Sequence, residues 1–110
     1  MGTFSKGTVV LIKFPFSDLS KVKLRPALVL ALTSKNDFLL CQITSKRYGD
    51  DKSVELQTND MRNGSLHKLS YVRYTKIFTA NKSIIVSDIG KIKDNKLDLI
   101  INSLIDFLKQ

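Results

Sequence analysis

A single cysteine, Cys41, leaves this 110-residue chain without an internal disulfide and without the ligand spacing of a cysteine-based metal site. Apolar runs are short, and none approaches the roughly 20 residues that a bilayer span needs. The opening MGTFSKGTVV has neither the apolar centre nor the small-residue cleavage site of a signal peptide, so a soluble cytoplasmic protein with no membrane partner is expected. Two prolines and five glycines are too few for a low-complexity chain. A hydrophobic content of 43% is too high for a disordered one. Acidic residues are scarce as well. Ten Asp and Glu stand against eighteen Lys and Arg, a formal net charge of +8, and no acid lies between Asp60 and Asp88. A field of that sign favours polyanions, either nucleic acid or an acidic protein segment.

What is present is a series of short β-branched and apolar runs followed by one long amphipathic segment, enough for one domain over residues 1–110. GTVVLIKF (Gly7–Phe14) reads as a strand, and Pro15–Leu24 as a loop or long hairpin connection. RPALVLALT (Arg25–Thr33) is nearly continuous in apolar residues, the pattern of a strand buried on both faces. Its start is set by Pro26, which lacks a backbone N–H and pushes Arg25 towards an extended conformation. FLLCQITS (Phe38–Ser45) reads as the antiparallel return, with Cys41 a buried apolar residue, and Ser53–Thr58 as an edge strand. Residues 59–68 read as irregular with a turn ending at Gly64, Leu69–Thr79 as one or two strands with a break, and Ser83–Gly90 as a further short strand. Leu97, Ile100, Ile101, Leu104, Ile105 and Leu108 form one helical stripe, with Asp94 as the expected N-cap. The expected fold is mainly β, a small twisted sheet or half-open barrel with the helix packed across it.

Three ordered blocks give the chain a family likeness. GTVVLIKFPFSDLSKVKLRPALVL resembles the opening of the PemK/MazF toxins of type II toxin–antitoxin pairs, where a Gly-X-Val-Val strand leads through Phe-Pro-Phe-[Ser/Thr]-Asp to Arg-Pro-X-Leu-Val. CQITS (Cys41–Ser45) is similar to the family's strand ending in Ile-Thr-Ser. The segment from Gly64 to Ile92 is similar to the corresponding stretch of its PemK-like branch. The resemblance implies an SH3-like barrel with a C-terminal helix, a homodimer, and a cognate acidic antitoxin as partner. It also implies a metal-independent endoribonuclease, with no cofactor, that cuts single-stranded RNA by attack of the ribose 2′-OH on the neighbouring phosphate. The products would be a 2′,3′-cyclic phosphate and a 5′-OH. The related CcdB-type toxins act on DNA gyrase through a tryptophan-containing helix end, whereas this chain has no tryptophan and ends FLKQ.

The residues suit that chemistry in part. Arg25 matches the family's catalytic arginine, and a guanidinium fork donates paired hydrogen bonds to phosphate oxygens as negative charge builds on them. Taken alone, it reads better as a strand-starting arginine on a solvated rim. Thr44 falls where the family has its catalytic threonine, beside Ser45, Lys46 and Arg47, where hydroxyls and cations can hold a phosphate. Arg73 matches a second arginine that some members use. Two residues after it the family commonly has an acid, and this chain has Thr75, whose hydroxyl is no substitute for a carboxylate base. Either another group takes the proton, or charge stabilisation suffices, or cleavage is slow. His67 is the one side chain that ordinarily titrates near neutrality, and it reads as an exposed turn residue. Asp18, Lys21 and Lys23 in the long loop are expected at the RNA groove, and Phe16 and Tyr48 are candidates for base stacking.

Overall fold

A computed structural model describes residues 4–15, 22–46, 49 and 51–110. Phe16, Asp18, Lys21, Arg47 and Tyr48 lie outside the described residues. The architecture is mainly β, as the sequence implies. Seven strands form one antiparallel sheet: β1 (Thr8–Pro15), β2 (Val22–Leu32), β3 (Asp37–Thr44), β4 (Val54–Leu56), β5 (Met61–Gly64), β6 (Ser70–Asn81) and β7 (Ile85–Ile92). Helix α1 (Asp94–Leu108) follows. The strand order is β4-β6-β3-β2-β1-β7-β5.

That order forces the sheet to curl. Strands β4 and β5 occupy opposite edges, yet only residues 57–60 separate them in the chain. Six strand spacings would put the edges of a flat sheet about 29 Å apart. The five Cα steps from Leu56 to Met61 reach at most about 19 Å. The edges therefore approach one another around a half-barrel. The link itself is a 3-10 turn, Thr58–Asp60, in which the Asp60 carboxylate accepts from the Gln57 backbone N–H at 2.8 Å. The Lys93 N–H donates to the Asp60 carbonyl at 2.9 Å, which ties the start of α1 to the same turn.

Both faces of the central strands are buried. Val9, Leu28, Cys41, Ile43, Val72 and Ile92 meet Leu97 and Ile100 of α1 in one cluster. Val10, Ile12, Ala27, Val29, Phe38 and Leu40 form a second cluster on the other face, covered by Phe4, Phe78, Ile84 and Ile85. The unbroken apolar run Ala27–Leu30 is thereby explained, because alternate residues feed different cores. Only part of the helical stripe is used. Leu97 and Ile100 are buried and Ile101 and Leu104 pack partly, whereas Ile105 and Leu108 remain 40% and 68% exposed.

Three expectations need correction and one is refined. Arg25 does not begin a strand: the β1·β2 ladder runs on to Pro15↔Val22, which makes Arg25 the fourth residue of β2 and shortens the connecting loop. Pro26 is tolerated there because pairing with β3 begins only at Ala27, so β2 is an edge on that side. The segment 61–64, expected to be irregular, forms β5; its polar residues hide a strand that pairs with β7 alone. Residues 70–81 form one strand, and the expected break is a bulge. Gln42 pairs with Arg73 but Cys41 with Ile77, leaving Tyr74, Thr75 and Lys76 without partners in the ladder. Finally, Lys93 rather than Asp94 is the N-cap of α1, its backbone extended at ψ 149°. Asp94 instead sits in the first turn, where a carboxylate favours the helix dipole.

Burial gives two checks on this packing. Ile100→Ala should cost about 2–5 kcal/mol in denaturant unfolding, whereas Leu108→Ala on the same helix should change little. Burial pushes the Cys41 thiol up to about 12. A thiol reagent at pH 8 should therefore leave the folded protein unlabelled and react promptly once it is unfolded.

Candidate RNA-binding and catalytic pocket

A pocket of about 430 Å³ opens at the end of the half-barrel where β2 and β3 part. Its wall is built from the apolar side chains Leu11, Leu24, Pro26, Ile43, Leu66 and Ile89. Its polar groups are Lys23, Arg25, Thr44, Ser45, Ser65, His67, Lys68 and Ser70. These include cations, hydroxyls and one imidazole, but no carboxylate among the described residues. The described residues also contain no group of three or more His, Cys, Asp or Glu placed to hold a metal ion.

Register brings the two leading residues together. Ala27 pairs with Gln42, and two residues further along each antiparallel strand stand Arg25 and Thr44. Both therefore project from the same face of the sheet, and both reach the pocket wall. Thr44 is only 5% exposed, unusual for a polar strand-end residue. Its Oγ1 accepts the Lys46 backbone N–H at 3.1 Å. That bond occupies an acceptor position and leaves the hydroxyl proton available to donate to an incoming oxygen.

A short connection, residues 65–68, also lines the pocket and is held at three points. Thr58 Oγ1 donates to the Leu66 carbonyl at 2.9 Å, and Ser70 Oγ donates to the Lys68 carbonyl at 3.1 Å. Leu66 itself packs against the helix-side core. Gly64 precedes the connection with φ +74°, and a Cβ there would clash with the Ile89 carbonyl oxygen. No other residue permits that approach of β5 to β7.

The remaining candidates separate. Lys23 and Ser45 line the pocket with Arg25 and Thr44. Lys46 is exposed and contributes its backbone N–H to Thr44. Arg73 lies outside the pocket wall, on β6, where its Nη1 donates to Gln42 Oε1 at 3.2 Å. It shares the sheet face of Gln42 and Thr44, and Thr75 stands in the bulge just beyond it. The sequence reading did not place Ser65, His67, Lys68 and Ser70 at the site. A turn-forming glycine followed by Ser-Leu-His-Lys was the available signal, but nothing local says which wall the turn will face.

The family profile for the PemK-like, MazF-like toxin of type II toxin–antitoxin systems matches residues 5–108. This chain belongs to that family. A search of curated proteins finds no significant sequence match. Solved structures show the same fold. A MazE–MazF crystal structure from Deinococcus radiodurans is similar at 18% identity and a TM-score of 0.77, covering 97% of this chain and 96% of that one. An endoribonuclease in complex with its cognate antitoxin, from a mycobacterial species, is similar at 16% identity and a TM-score of 0.74, covering 97% and 96%. The Mycobacterium tuberculosis toxin MazF-mt6 follows at 14% and 0.68, covering 91% and 96%. At such identities the likeness to solved structures concerns the backbone, and the side chains of this toxin-family pocket are its own.

The Thr44 hydroxyl bond has a measurable structural role. Thr44→Val keeps the β-branched shape but strands the Lys46 N–H, and should lower stability by about 1 kcal/mol in chemical denaturation, with Thr44→Ser close to wild type.

Proposed function

We propose that this toxin is a metal-independent, sequence-specific endoribonuclease that cuts single-stranded RNA, including mRNA, by attack of a 2′-OH on the adjacent phosphate. The observation that carries the reading is the convergence of Arg25 and Thr44 on one cationic, part-apolar pocket. In-line attack places additional negative charge on the phosphorus-bound oxygens. Arg25 meets that charge with a fixed fork of donors, and the Thr44 hydroxyl adds a further donor from a rigid strand end. Lys23, Lys46 and Lys68 offer cations to the RNA backbone, and Asp18, Lys21, Ser45 and Arg47 are the further candidate RNA contacts from the sequence. The apolar wall, with Leu24 nearly half exposed, offers a surface against which an unstacked base can lie. Phe16 is the candidate stacking side chain from the loop. Arg73, paired with Gln42 on the same sheet face as Thr44, serves as a second cation. A cognate antitoxin with an acidic segment would cover this face, which the +8 net charge favours. A homodimer in the cytoplasm is the proposed working form.

One observation favours a second reading, a weak family member that binds RNA or its antitoxin without efficient cleavage. Thr75 stands where the family commonly carries an acid, and the described pocket residues include no carboxylate.

The two readings part on one experiment. Long single-stranded RNA, incubated with the protein in the presence of a chelator, should give discrete cuts with 2′,3′-cyclic phosphate and 5′-OH ends. Arg25→Ala should slow cleavage by about 10²–10³-fold, the scale of losing one oxyanion donor, while the protein stays folded. Intact RNA bound in a salt-sensitive way would sink the nuclease reading and leave the binding one.

A further inference from the structure

An attacking 2′-OH must lose its proton, and the described pocket offers few acceptors. Lys23, Arg25 and Lys68 are cations, and Thr44, Ser45, Ser65 and Ser70 carry hydroxyls that are poor bases. One lining side chain remains: His67. Its position is fixed from both sides. The carbonyl of Leu66 before it and the carbonyl of Lys68 after it are both held by hydroxyl donors, from Thr58 and Ser70. Leu66 is anchored in the core, and the glycine at 64 sets the turn. The connection thus carries an exposed imidazole that lines the same pocket as Arg25 and Thr44.

We propose that His67 is the general base of this toxin, taking the place of the missing carboxylate; the proposal rests on the ribonuclease reading. The neutral imidazole accepts the 2′-OH proton as the 2′-oxygen–phosphorus bond forms. The phosphorus–5′-oxygen bond breaks, and the leaving oxygen takes a proton from water. The imidazolium then returns its proton to solvent, so that the site is restored. Arg25 and Thr44 hold the phosphate oxygens throughout. Lys23, Arg25 and Lys68 are the charged groups among the described residues that line the same pocket.

The test compares wild type with His67→Gln and His67→Asn, both at an exposed position and checked for an unchanged thermal melt. With an RNA carrying one cleavage site, kcat should fall by about 10²–10⁴-fold in both variants with KM little changed. The wild-type rate should fall as pH is lowered, a dependence that both variants lack, and added imidazole should partly restore activity in His67→Gly. A substrate with sulfur in place of the bridging 5′-oxygen loses its leaving group without protonation, so the deficit of the variants should persist on it. Recovery of full activity on that substrate would overturn the role as base. So would wild-type cleavage that the variants match in rate and pH profile, while the nuclease reading stood. Failure of wild type to cut any RNA over the whole pH range would overturn both.

Discussion

The closure of the sheet governs the rest of this molecule. Seven antiparallel strands whose two edge members are joined by residues 57–60 have no flat solution, so the sheet bends until β4 and β5 lie near each other. Curling has two consequences. It leaves a concave face that α1 fills with Leu97 and Ile100, and it makes the strands diverge where the pairing of β2 with β3 ends at Ala27↔Gln42. The pocket is that divergence. Arg25 and Thr44 continue the register of the last pair without being bonded to each other by it, and the space they leave is lined by side chains from five strands.

Rigidity around the pocket comes from backbone chemistry more than from charge. The exposed Arg62–Asp94 contact at 3.8 Å adds little, as surface ion pairs generally do. The Lys96–Asp60 pair, at 3.5 Å and with both side chains about four-fifths buried, sits at the same turn that joins the two edges. More decisive are the glycine crossing of β5 and β7, the hydroxyl bonds onto the Leu66 and Lys68 carbonyls, and the Thr44 bond to the Lys46 N–H. Each fixes a backbone segment that carries a polar group into the pocket. Preorganisation of this kind is what electrostatic stabilisation of a phosphorane requires, because donors that must first reorient lose much of their effect. The absence of a carboxylate among the described lining residues then acquires meaning. The described lining offers cations, hydroxyls and one imidazole, a set of groups suited to an anion.

The amino-acid sequence by itself determined the class of the fold and nominated Arg25 and Thr44 as site residues. β-branched runs, a single helical stripe and the Arg-Pro step are local patterns, and local patterns survive without knowledge of the fold. Ordered family blocks did the same for Arg25 and Thr44. The tertiary structure alone decided four things: that β2 begins before Arg25, that the polar MRNG segment is a strand, that Arg73 pairs with Gln42 and is not among the pocket-lining residues, and that His67 lines the same pocket as Arg25 and Thr44. The reason is common to all four. Each depends on pairing or proximity between segments distant in the chain, set by the ladder register and by the closure of the sheet, and such long-range contacts leave no periodicity in the residues that make them.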